Sequence, residues 1–219
     1  IYTHFNMINV AVIVFDVWDK HWNSEVNIRN VSLALKIDNF LTQFRSKDRI
    51  VIHSPSYCMK YYSTHPSRQR ILSLPRIKQP KHIIQQGHKK LKYLPFTYHD
   101  PPNVTYPWKS QTSLINIDPK YDYISDNQME VVNLLKTFDT HTIYYIGVHS
   151  NACILDKGNC SIINMLNMGF KTILISDLTD CIWDERYQSI ISNWALANHL
   201  IITFYKKHIC DVIQSKLLT

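Results

Sequence analysis

Short, continuous apolar runs recur along this chain between longer amphipathic stretches, and no other feature limits its possible folds as strongly. Val10 to Phe15 reads as a first buried strand. Asn30 to Arg45 then places Val31, Leu35, Ile37, Leu41 and Phe44 near one helical face, so it reads as a covering helix. Arg49 to Ile52 is the next predicted strand, Tyr121 to Ile124 a third, and Asn127 to Phe138 a helix with Val131, Leu134, Leu135 and Phe138 on its apolar side. Thr142 to Val148 continues the series, followed by a helix from about Asn151 to Asn167 that ends at Gly169, a residue suited to a left-handed cap. Lys171 to Ser176 and Leu200 to Phe204 read as the last strands, with a helix over Tyr187 to Asn198 between them. Six strands joined by helical crossovers imply an α/β fold with a mainly parallel sheet covered on both faces, and ligands in such sheets bind beyond the carboxyl ends of the strands.

The rhythm is interrupted once. From Ser54 to Asp118 the chain holds most of its nine prolines and many aromatics, with one short helix expected around Ser67 to Leu72. A loop this long inside a compact unit is usually functional, so it is expected to shape a pocket or a subunit contact. The 219 residues, 45% of them apolar, suit one domain spanning 1–219. Val10 to Phe15 is far too short to cross a membrane. Five cysteines (Cys58, Cys153, Cys160, Cys181 and Cys210) at long spacings, with no CxxC pair, fit reduced thiols and a cytoplasmic setting. The net charge of +7 is densest over Arg68 to Lys92, but Pro75 and Pro80 break that stretch and it carries no nucleic-acid module, so a nucleic-acid partner is not expected.

Two residues stand where this architecture puts chemistry. Asp16 directly follows six apolar residues and is expected at the carboxyl end of the first strand; a carboxylate there either works or caps a neighbouring loop. Cys153 lies six residues after Gly147, in the first turn of the helix that follows the Thr142 to Val148 strand. Unpaired N–H groups and the helix dipole favour a thiolate at such a place, and the same groups can hold an oxyanion. The alternative for Cys153 is a small buried packing residue.

The stretch Tyr145 to Cys153 (YIGVHSNAC), taken with Asp16, resembles the isochorismatase-like hydrolase superfamily. Asp16 to Asn23 (DVWDKHWN), Ile52 to Ser56 (IHSPS), Ile124 to Asp126 (ISD) with Glu130 and Asn133 to Leu135, and Asp177 to Asp180 (DLTD) more closely resemble a nicotinamidase-related branch with a DMWDxHWC-type start. The resemblance implies a three-layer α/β/α domain in which a cysteine attacks a carbonyl or imidic carbon and an aspartate takes and returns its proton. Cys153 then stands as nucleophile, Asp16 as base, and the Val148 to His149 bond as a non-proline cis peptide. It also implies a small-molecule substrate and a homo-oligomer, and calls for no cofactor. Trp18, His21, Trp22, His53, His149 and Ser150 are the residues expected to bind substrate.

The pattern is broken in several places. The superfamily's lysine before the Asn127 helix is replaced by Ser125, Asp126 and Asn127, leaving the helix terminus and a histidine such as His149 or His53 to lower the thiol pKa. Asp126 is expected to be structural. The cysteine closing the DMWDxHWC-type start is Asn23, a Gly-Gly-Cys-Asp element has no counterpart between Tyr98 and Gln111, and Ala197 and Asn198 stand where the branch has Gly-Thr. Asp19 and His21 have the spacing of a metal-binding Asp-x-His pair but follow the wrong strand, so no metal is expected. The leading expectation is a cysteine hydrolase of a small amide, ester or related C–N bond; the alternative is a member that kept the fold, lost the chemistry and serves in binding or assembly.

Overall fold

The computed structural model describes residues 10–77 and 86–219; residues 1–9 and residues 78–85, in the middle of the basic stretch, lie outside them. The chain forms β1 (Val10–Phe15), α1 (Ser24–Arg45), β2 (Ile50–Ser54), α2 (Pro66–Leu72), α3 (Gln86–Lys89), β3 (Tyr123–Ile124) and α4 (Gln128–Thr137). After these come β4 (Thr142–Val148), α5 (Ile162–Asn167), β5 (Lys171–Asp180), α6 (Trp194–Phe204) and β6 (Asp211–Ile213). The strands make one all-parallel sheet in the order β3-β2-β1-β4-β5-β6.

Alternate residues of β1 feed two cores. Val10, Val12 and Val14 pack against Leu33, Ala34, Ile37, Phe40 and Leu41 of α1, while Ala11, Ile13 and Phe15 join the core built by α4, α5 and α6 on the opposite face. Burial on both faces explains why β1 is apolar at every position and does not alternate with polar residues. The result is the expected three-layer α/β/α arrangement. Chain order reverses between β1 and β4, and this switch point fixes the crevice in which such a sheet holds a ligand. Among the described residues no helix is long and apolar enough to cross a membrane.

Several boundaries differ from expectation. Helix α1 begins at Ser24, not Asn30, because the Asn23 side chain accepts from the amides of Glu25 and Val26 at 2.9 and 3.3 Å and caps it. Its inward face is Val26, Leu33, Ala34, Ile37, Phe40, Leu41 and Phe44, whereas Val31 and Leu35 are exposed. Leu200 to Phe204 is helix, not strand. It is the end of α6, whose buried Ala197, Ile201 and Phe204 follow helical spacing, and the sixth strand is the short β6. The helix expected over Asn151 to Asn167 is two pieces, a π-helical turn at Cys153–Lys157 and α5. Gly169 does take the left-handed conformation, with φ 90.

Candidate active site

At the carboxyl end of β1 the chain turns sharply at Asp16, which has φ 50 and is buried. Aspartate is one of the few side chains that tolerates this region. The turn directs the carboxylate toward the β2 loop, where Oδ1 accepts from the Ser56 amide at 2.6 Å and Oδ2 from the Ser56 hydroxyl at 3.1 Å. Strand β4 comes in close beside it because Gly147 has no side chain. Its φ is 104, and a Cβ there would stand 2.1 Å from the Phe15 carbonyl oxygen. One residue beyond β4 the Val148–His149 peptide is cis, and the chain then enters the π-helical turn that starts at Cys153.

The Cys153 thiol lies close enough to the Asp16 carboxylate for each group to shift the other's pKa. Burial raises the Asp16 pKa to about 7 against the hydrogen bonds from Ser56 and Cys153, and the charge of Asp126 adds to the rise. Burial also pushes the Cys153 thiol well above its usual range; the charge and hydrogen bond of Asp16 act in the same direction, and the His149 amide and Lys157 only partly oppose them. This corrects the expectation of a thiolate stabilised by a helix terminus. The turn at Cys153 is five residues long, so little dipole is aligned there, and the nearest charge is negative. The resting pair is therefore a thiol beside a carboxyl group poised to titrate near neutrality.

Cys153 opens into a cleft of about 140 Å³. Trp18, His21, Trp22 and His149 line it, together with Ser56 and Lys157. The irregular excursion contributes Tyr57, Tyr98, Asp100, Tyr106 and Trp108. Trp18 and Trp108 stack at 4.0 Å with planes 9° apart, and Tyr106 packs 4.6 Å from Trp108. The returning excursion is tied to the β1 loop by Asp19 N–H to Ser110 O at 2.9 Å and Thr112 N–H to Val17 O at 2.8 Å. This pairing gives the aromatic wall its position.

Two expected residues lie elsewhere. His53 is fully buried on β2, between Gln111 Oε1 at 3.0 Å and Asp122 Oδ2 at 2.9 Å, with Arg45 held to the same carboxylate. It braces the sheet edge and does not reach the cleft, because its side chain turns toward Asp122 on the β3 side. Ser150 is buried, its amide bonded to Asp180 O and its carbonyl to the Tyr205 hydroxyl, and it is not part of the cleft wall.

Where the superfamily places its lysine, Ser125 donates to Glu130 at 2.5 Å, and Glu130 pairs with Arg68. Asp126 accepts from the Tyr57 amide at 3.1 Å, a structural contact that fixes the mouth of the cleft. The cation nearest the sulfur in sequence is Lys157, whose Nζ donates to Tyr98 O at 2.8 Å. Its place four residues after Cys153 was a readable signal, since that spacing returns a helical side chain to the same side. The Asp19 and His21 pair does not fit a metal. Asp19 Oδ1 accepts from the Lys109 and Ser110 amides, both His21 ring nitrogens are engaged, and no group of three or more candidate ligands occurs among the described residues.

No protein-family model matches the chain, and no curated protein matches it. Solved structures do match along nearly its full length. A cysteine hydrolase from Pseudomonas syringae pv. phaseolicola superposes with TM-score 0.60 at 14% identity, covering 98% of this chain and 92% of its own. Pyrazinamidase of Pyrococcus horikoshii in complex with zinc gives TM-score 0.54 at 12% identity, over 94% and 99%. N-carbamoylsarcosine amidase from Thermoplasma acidophilum gives 0.51 at 11%, over 94% and 96%. At these identities the likeness establishes the isochorismatase-like α/β fold.

Proposed function

We propose that this chain is a cysteine hydrolase that cleaves a small amide, ester or related C–N bond through a thioester on Cys153, with Asp16 as the base. The observation that carries this reading is the juxtaposition of Asp16 and Cys153 at the switch point, with the carboxyl pKa raised to about 7. The fold it shares with a cysteine hydrolase and two amide-cleaving enzymes supports it.

In this mechanism the thiol needs no ionisation before substrate arrives. Sulfur attacks the carbonyl carbon as its proton passes to Asp16, and the new oxyanion takes a hydrogen bond from the Cys153 amide, since the neighbouring Ala152 and Ile154 amides already donate to the His149 carbonyl. Protonated Asp16 then returns the proton to the leaving amine or alcohol as the C–N or C–O bond breaks and a thioester forms. Water, deprotonated by Asp16, attacks the thioester and releases the acid, and the sulfur recovers its proton. General base catalysis of this kind contributes about 10²–10⁴ in rate. Asp16 sits near the optimum for it, because a base with a pKa close to ambient pH combines availability with driving force.

The opposing reading, a binding or assembly protein without catalysis, is favoured by the Ser125–Glu130–Arg68 network that occupies the lysine's place. A panel of small amides and esters, beginning with pyrazinamide, separates the two. Turnover that disappears in Cys153→Ala supports the hydrolase. Turnover unchanged by that substitution, or none on any compound, removes it.

A further inference from the structure

Two histidines in the cleft wall fix each other's protons. The Asn23 amide donates to His21 Nδ1 at 3.0 Å, so that nitrogen is an acceptor. Burial pushes His21 down to about 4 and His149 well below its usual value, so both rings are neutral at pH 7. A neutral His21 that accepts at Nδ1 carries its hydrogen on Nε2. That Nε2 lies 3.3 Å from His149 Nε2, which therefore has to accept. His149 is left with its hydrogen on Nδ1, and Nδ1 is buried and has no hydrogen-bond partner among the described residues.

Such an orphaned donor is uncommon in a folded protein, and at a ligand site it marks where an acceptor belongs. His149 lines the same cleft as Cys153, and its backbone lies close enough to the sulfur to lower the thiol's pKa against burial. Nδ1 is the ring nitrogen nearer that backbone. The geometry points to His149 Nδ1–H as a substrate-positioning donor for an uncharged acceptor, a carbonyl oxygen or a ring nitrogen, with His21 holding it in the donating tautomer. A carboxylate fits this place poorly, because Asp100 lines the cleft and a neutral imidazole offers an anion no charge. This assignment rests on the proposed hydrolase reading only for what happens to the ligand after it binds.

The test uses ¹⁵N-histidine-labelled Cys153→Ala protein, which binds without turnover. Long-range ¹H–¹⁵N spectra at pH 7 are expected to show His149 protonated at Nδ1 and His21 at Nε2, and the His149 Nδ1–H resonance is expected to move on titration with acetamide, benzamide or pyrazinamide. An Nε2–H tautomer at His149, or an Nδ1–H unmoved by all three compounds, overturns the assignment. In the active protein His149→Asn, which keeps a donor near Nδ1, is expected to hold KM within about threefold, while His149→Gln and His149→Ala raise it about tenfold, the effect of one hydrogen bond. Equal KM for the Asn and Gln variants also overturns it. A shifted Nδ1–H in a protein that hydrolyses nothing leaves the donor assigned and the hydrolase reading refuted.

Discussion

Asp16 carries a cost to stability that follows from its burial. Its folded pKa of about 7 lies above the ordinary value of 3.8, so between these pH values the folded state holds a proton that the unfolded state has released. Stability contributed by this group is therefore present below pH 3.8 and is lost as pH rises through 7. Asp16→Asn is expected to abolish turnover yet raise the melting temperature at pH 8, with a much smaller gain at pH 4; the difference corresponds to a few kcal/mol on the order of 1.4 per pKa unit. Calorimetry at the two pH values checks it. The rate itself is expected to rise tenfold per pH unit up to about 7 and then level, because only ionised Asp16 accepts the thiol proton. Asp16 and Cys153 could be singled out in sequence because Asp16 directly follows one apolar strand and Cys153 lies five residues beyond the end of another. The thiol's protonation was not, since it depends on Asp16 lying against the sulfur from 137 positions away in a chain whose pairing is visible only in three dimensions. His53 misled for the opposite reason: its place on a strand end was right, but its side chain faces Asp122.

Among the elements, β4 has the least room for change. Gly147→Ala would put a Cβ within 2.1 Å of the Phe15 carbonyl at a φ of 104, and both partners are backbone. We expect a loss of at least about 1–3 kcal/mol, read as a lower urea midpoint, together with a fall in turnover, because β1 and β4 position the two groups proposed to react. Strands β1 and β4 were readable as unbroken apolar runs. The end of the chain was not. The Leu200 to Phe204 segment has a strand's composition, and only the spacing of Ala197, Ile201 and Phe204 shows it to be helix. The true edge strand, Asp211–Ile213, is too short to leave a pattern. Asn23 serves as the cap that starts α1 where the sequence pattern had not begun.

For the whole molecule, the excursion and the sheet depend on each other. Asp122 joins them by accepting from the Asp118 amide at the end of the excursion at 2.8 Å and from His53 of β2 at 2.9 Å, with Arg45 of α1 at 2.8 and 2.5 Å. Burial opposes its charge, but the hydrogen bonds from His53 and Arg45 prevail and hold its pKa at about 2. Its stabilisation is present above pH 3.8 and is lost as pH falls toward 2. Asp122→Ala, which leaves two buried cationic or polar partners unmatched, is expected to cost about 3–5 kcal/mol in urea denaturation and to remove that part of the acid transition. The path of the excursion was not legible, because its hold on the sheet comes from side-chain bonds such as these and from pairing near Gln111, neither of which has a period. Its function as cleft wall was anticipated only from its length. The central claim, that Asp16 and Cys153 act as base and nucleophile, is tested most directly by acylating the protein with p-nitrophenyl acetate and locating the acetyl group by peptide mass spectrometry as a function of pH. The account predicts acetylation concentrated on Cys153, rising through pH 7 and lost in Asp16→Asn. Labelling spread evenly over the five cysteines, or unchanged in that variant, would contradict it.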